Sequence, residues 1–225
     1  MGFSATSPLH RLRPTLLSFG IACVVTFVSL DPAMAARSRS ENAFYSTKPI
    51  AFEDLSAFTK WNDLWPRYEE QHEAALDACG DDETCSARQW ETLLESLEDK
   101  PLREQMAVIN AHFNAVPYIE DRSNFDMDDY WQTPYEFMNS GGDCEDYAIA
   151  KYISLKRLGV PESAMRIMIV QDQNLGGIMH AVLEVRHEGQ RYVLDNQAST
   201  VTRQRDIFHY RPIYAINATN WWAYQ

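Results

Sequence analysis

Positive charge is scarce in this chain. Its 225 residues carry 20 Lys and Arg against 32 Asp and Glu, a formal net charge of -12. Nucleic acid is excluded as a partner on that balance, because its phosphates would be repelled. The same balance suits a soluble periplasmic protein or one that binds calcium. The chain also lacks internal repeats and low-complexity runs. Long apolar runs are absent apart from Thr15 to Leu30, which is short of the roughly 20 residues a membrane span needs. Cysteine is limited to Cys23, Cys79, Cys85 and Cys144.

The one apolar run has a specific setting. Arg11 and Arg13 precede it, and Ala33-Met34-Ala35 follows with small residues spaced as a cleavage signature. This is the pattern of a secretory signal peptide. It predicts a signal segment over 1–35, cleavage near Ala35 or Ala36 and export to the periplasm. An uncleaved anchor is the alternative. Gly20-Ile21-Ala22-Cys23 has some likeness to a lipoprotein site, but the apolar run continues past Cys23 and favours the conventional cut. Export leaves three cysteines. In an oxidising compartment Cys79 and Cys85 can close a small loop between two helices; two reduced surface thiols are the other reading. Cys144 is then the odd thiol, notable in an exported protein.

About 190 residues follow the signal segment, enough for one compact domain with a real core. Residues 36–52 read as a flexible polar leader and 53–225 as a single domain. Glu53 to Ala78 reads as helical, with a break or kink at Pro66. Ser86 to Leu97 is a second helix. Pro101 to Ala115 is a third, with Pro101 at its first position and Leu102, Met106, Ile109 and Phe113 on one side. Residues 117–142 read as a long loop rich in acids and aromatics, long enough to suggest a functional role. Phe125, Tyr130, Trp131, Tyr135 and Phe137 are expected to pack around the helix that follows. Strands are expected at Met165–Gln171, His180–Arg186, Arg191–Asn196 and 207–216, with more sheet at Trp221-Trp222. Helices first and then an antiparallel sheet around a central helix make an α+β fold, papain-like in the broad sense.

That central helix opens on Gly141-Gly142-Asp143-Cys144-Glu145-Asp146-Tyr147. The glycine pair permits a tight turn, and Asp143 is a good N-cap. A helix N-terminus favours negative charge and so lowers the pKa of a thiol there. A buried structural cysteine is the bland reading of Cys144 alone. His180 and Asp195 shift the balance. In a hairpin turning at 188–189 they fall on the same face, opposite or diagonal, within side-chain reach. The carboxylate can then hold one ring nitrogen of His180 and leave the other for a thiol. His187 and His209 have no carboxylate so placed.

Gly142-Asp143-Cys144-Glu145-Asp146-Tyr147-Ala148 is preceded by Asp129-Tyr130-Trp131-Gln132-Thr133-Pro134-Tyr135-Glu136-Phe137 and followed by His180-Ala181-Val182-Leu183 and Leu194-Asp195-Asn196. Together these segments resemble the bacterial transglutaminase-like cysteine proteinases, the LapG-type periplasmic proteases that trim giant surface adhesins. The resemblance covers roughly residues 100 to 215 and implies a triad of Cys144, His180 and Asp195. It also implies a calcium site at Asp143 and Glu145, a substrate in the N-terminal region of a surface adhesin cut at small-residue sites, and sequestration by an inner-membrane receptor that senses cyclic di-GMP. It therefore implies a role in biofilm attachment.

The calcium site has a local rationale as well. Asp143, Glu145 and Asp146 crowd three carboxylates around the thiol, and like charges raise its pKa. A bound Ca²⁺ would neutralise them through the oxygen ligands it prefers. The spacing is not that of an EF-hand, and a helix cap with solvated first-turn acids is the simpler reading. Three functional classes remain: a cysteine endopeptidase; a transglutaminase or other acyl transferase with the same triad; and a non-catalytic calcium-binding module. For the first, the Cys144 N–H is the expected oxyanion donor, with Trp131 a candidate for the second.

Overall fold

The computed structural model describes residues 48–225 together with Met1. The expected signal segment, Cys23 and the leader as far as Thr47 lie outside the described residues. Among the described residues no helix is long and apolar enough to cross a membrane.

Among the described residues, six α-helices and a seven-stranded sheet make up the fold. In chain order they are β1 (Ile50–Phe52), α1 (Thr59–Cys79), α2 (Ser86–Leu97), α3 (Leu102–Asn114), α4 (Asp121–Phe125), α5 (Pro134–Ser140), α6 (Cys144–Arg157), β2 (Met165–Asp172), β3 (Ile178–His187), β4 (Gln190–Leu194), β5 (Thr202–Arg203), β6 (Tyr210–Ile216) and β7 (Trp221–Ala223). The sheet order is β1-β7-β6-β2-β3-β4-β5, with every pair antiparallel. The fold is α+β and papain-like, as the element order predicts.

The helices occupy one face of the sheet. Strand β2 alternates between layers: Ile167 and Ile169 join the core under the helices, while Met168 and Val170 join a smaller cluster on the opposite face. Helix α6 runs through the middle, and Tyr147 to Leu155 are all buried within it. Such a helix is buried on every side, and its polar Lys151 and Ser154 are partnered by Asn114 and by the Ala150 carbonyl. It packs on β3 on one side and α3 on the other.

The local signals account for most boundaries. Helix α2 spans the expected residues. The β3–β4 hairpin turns through Glu188 and Gly189, both at positive φ (49° and 71°), the backbone of a two-residue turn matched to strand twist. Cys79 and Cys85 are disulfide-bonded, with Cα atoms 5.7 Å apart, and the bridge joins the end of α1 to the start of α2.

Four expectations need correction. Pro66 does not break the first helix, which starts six residues later than expected and continues through Pro66 to Cys79. The lost amide donor is offset by tertiary packing, since Trp61 and Leu64 are buried. Pro101 is the N-cap of α3 rather than its first residue; its carbonyl accepts from the amides of Glu104 and Gln105. Ile50–Phe52, assigned to the leader, pairs with β7, and Phe52 stacks on Trp221 at 4.4 Å. The 117–142 segment is not one loop, because it contains α4 and α5. A capping box opens α5, with the Thr133 hydroxyl accepting from the Glu136 amide, Glu136 accepting from the Thr133 amide, and Pro134 at the first position. Thr-Pro-x-Glu is a sequence signature of a helix start.

Candidate active site

The turn before α6 is built on sterics. Gly141 sits at φ 72°, and a Cβ there would meet the Pro117 carbonyl at 2.7 Å. Gly142 has an ordinary φ, but a Cβ on it would strike the side chains of Asp146, Gln132 and Phe137. Both glycines are therefore required, the first by dihedral and the second by close approach. Residues 117–119 run beside this turn: the Ile119 amide donates to the Gly142 carbonyl at 2.9 Å. That contact brings α4, and Asp121 at its start, next to the turn that leads into Cys144.

Cys144 opens α6 and shares a cavity of about 560 Å³ with His180. Asp121, Asp129, Trp131, Asp143, Glu145 and Ala181 also line it. The thiol donates to Glu145 Oε2 at 3.2 Å. Burial pushes the thiol pKa up; Glu145 adds to this, the Ala181 N–H directed at the sulfur opposes it, and Asp143 raises it further. The helix N-terminus does not prevail here, contrary to the expectation of a lowered pKa, because burial of the thiol, reinforced by the neighbouring acids, outweighs the dipole.

His180 and Asp195 meet as the hairpin predicts. Leu183 pairs with Leu194, so Asp195, one residue past β4, lies beside Val182 and diagonal to His180. His180 Nε2 is 2.9 Å from Asp195 Oδ1. A carboxylate only accepts, so Nε2 carries the proton and Nδ1 is left with a lone pair. The residues are 3% and 5% exposed. Burial alone would raise the Asp195 carboxyl, but the hydrogen bond and charge of His180, the Tyr210 hydroxyl and the Gln197 amide together hold it below the usual range. His187, by contrast, faces only Glu188, at 3.9 Å.

The acids form a larger group than Asp143 and Glu145. Asp121, Asp143 and Asp146 make one cluster, and Asp121, Asp129 and Glu145 another. Asp121 Oδ1 and Asp143 Oδ1 are buried and accept no hydrogen bond from the described residues. Burial raises Glu145, with Asp143 and then Asp146 reinforcing it. Buried carboxylate oxygens without donors, drawn from separate segments, fit a hard divalent cation such as Ca²⁺. Asp121 and Asp129 were not legible as ligands because only the fold brings α4 and its trailing loop to the turn. Asp129 also accepts from the Trp131 indole N–H at 3.0 Å and pairs with Lys60. The indole N–H of Trp131, the expected second oxyanion donor, is therefore given to Asp129 in this structure.

A family model of the bacterial transglutaminase-like cysteine proteinases matches residues 75–224. The chain belongs to this family. Among solved structures it is similar to calcium-bound LapG of Legionella pneumophila, at 32% identity over 68% of this chain and 86% of that one, with a TM-score of 0.60. It is similar also to the EGTA-treated form of the same protein, at 33% identity over 69% and 84%, with a TM-score of 0.59. No curated protein sequence matches it. The chain is thus a cysteine proteinase of the LapG-like kind, and its family implies a protein substrate.

Proposed function

We propose that this chain is a calcium-dependent periplasmic cysteine endopeptidase that cleaves a large surface adhesin near its N-terminus and so regulates biofilm attachment. The observation that carries the chemical part is the 2.9 Å contact of His180 Nε2 with Asp195, beside a free thiol in the same cavity. The family resemblance supports the adhesin, periplasmic export and control by an inner-membrane receptor that senses cyclic di-GMP.

In this reading Cys144 Sγ attacks the scissile carbonyl carbon and its proton passes to His180 Nδ1, the ring nitrogen not held by Asp195. Asp195 fixes the tautomer and stabilises the imidazolium. The Cys144 N–H stabilises the oxyanion. Collapse breaks the C–N bond, and the amine leaves with the proton from His180. Water, deprotonated by His180, then hydrolyses the thioester and restores the thiol. Asp121, Asp129, Asp143 and Glu145 would hold the calcium ion. When bound, it supplies the positive charge that offsets the carboxylates raising the thiol pKa.

The test is incubation with adhesin N-terminal fragments, with and without an added amine, comparing the native protein with Cys144→Ala. Cleavage by the native protein alone supports the proposal. Cleavage that survives Cys144→Ala would sink it, and amine incorporation in place of hydrolysis would make the protein an acyl transferase.

A further inference from the structure

Asp195 is held from two sides, and only one of them is His180. The Tyr210 hydroxyl donates to Asp195 Oδ2 at 2.5 Å, while Oδ1 accepts from His180 Nε2 at 2.9 Å and from the Gln197 amide at 2.8 Å. Tyr210 is the first residue of β6, which pairs with β2 rather than with the hairpin that carries His180 and Asp195. Its ring lies 5.7 Å from the imidazole, tilted by 51°. It is 2% exposed. Packing alone could be supplied by phenylalanine; the hydroxyl is what reaches the carboxylate.

Resting on the reading of Cys144, His180 and Asp195 as a triad, we infer that Tyr210 is a positioning residue for the peptidase reaction: its phenol fixes the rotation and basicity of the Asp195 carboxylate, and through it the orientation of His180. A carboxylate held at Oδ1 only, by His180 and the Gln197 amide, can still pivot about its last bond and take the imidazole with it. With Oδ2 anchored, Oδ1 stays aimed at Nε2. Burial and the nearby Asp195 push the Tyr210 phenol up from its ordinary value, so it remains a donor across the working pH range. The other titratable or charged groups near this pair are Lys151 on α6, Asp172 on β2, Asp206 and His209 in the cavity that Asp195 and Tyr210 line, and Cys144.

The experiment compares Tyr210→Phe with Asp195→Asn on a cleavable peptide, with calcium present. Tyr210→Phe should lower kcat by about 10- to 100-fold, less than the roughly 10²- to 10⁴-fold a whole general base supplies because His180 is loosened rather than lost, with KM little changed. Losing the donor makes Asp195 more basic and the imidazolium easier to form, so the acidic limb of the kcat profile, below which His180 cannot act as base, should move to higher pH and the His180 Nε2 proton resonance should shift. A 3-fluorotyrosine at position 210, a more acidic donor, should move the limb the opposite way and serves if Tyr210→Phe folds poorly. If Asp195→Asn is inactive while both Tyr210 variants keep the native rate, profile and resonance, Tyr210 has no positioning role. If Asp195→Asn is itself fully active, the triad reading has failed instead.

Discussion

Gln132 grips Asp146 with both its main chain and its side chain. Its backbone N–H donates to Oδ1 and its side-chain Nε2 to Oδ2, each at 2.8 Å, and the Asp143 amide adds a third donor at 3.1 Å. Both residues are fully buried. Burial drives the Asp146 carboxyl well up, against the pull of these donors. The clamp ties the approach to α5 to the first turn of α6 and so sets where Cys144 begins.

Removing the side-chain half of that clamp should cost stability. Gln132→Leu leaves Asp146 Oδ2 short of a buried donor, a loss of about 1–3 kcal/mol. Thermal unfolding should show a Tm lower by several degrees. An unchanged Tm would mean that Asp146 is neutral and needs no such partner.

Asp195→Asn should reduce kcat by about 10³- to 10⁴-fold while the circular dichroism spectrum stays native, because an amide cannot stabilise the imidazolium and favours the wrong tautomer. Full activity in this variant would assign the orienting role to another residue.

Lys151 gives a pH signature. It is fully buried on α6, donates to Asn114 Oδ1 at 2.6 Å, and burial brings its pKa down to about 7, partly opposed by Asp195. Between about 7 and the unfolded value of 10.5 the unfolded chain holds a proton that the folded chain has lost. Stability from this group therefore rises with pH across that window and is lowest below it. Urea unfolding of Lys151→Met should show a flatter slope from pH 7 to 10 than the native protein. Equal slopes would mean that the ammonium stays charged when folded.

Calcium should raise the Tm by mass action and should do so more than magnesium, which demands tighter octahedral geometry. Chelation should abolish cleavage. Asp121→Asn combined with Asp143→Asn should lose the calcium shift in Tm, read by differential scanning calorimetry. If calcium leaves the melting curve of the native protein in place, the carboxylates are not its site.

Opening the Cys79–Cys85 bridge should be a modest loss. The cysteines are six residues apart, and a loop that short constrains the unfolded chain by about 2 kcal/mol. Denaturant titration of Cys79→Ser/Cys85→Ser against the native protein measures it, and a loss of zero would show that the bridge does not form in solution.

The parts legible in the sequence were the ones governed by near neighbours. The α6 start, the Glu188-Gly189 turn and the diagonal of His180 and Asp195 all follow from local spacing. What escaped was assembled by the fold. Gln132 and Asp146 are 14 residues apart and separated by a helix, and Tyr210 reaches Asp195 from a strand that pairs elsewhere. Asp121 and Asp129 looked like ordinary surface acids. The α5 start was missed although Thr133-Pro134-Tyr135-Glu136 carries its signal. Pro66 misled because propensity was weighed without the packing that overrides it.

Cys144 and His180 are delivered by opposite layers. Cys144 rides on α6 and His180 on β3, and the two elements pack through one core that includes Ile149, Ile153, Leu183 and Val185. The gap from sulfur to imidazole is thus a property of the hydrocarbon filling as much as of the residues at its ends. A mutation that hollows out this layer should slow acylation at temperatures where the protein is still folded, with the reacting groups untouched.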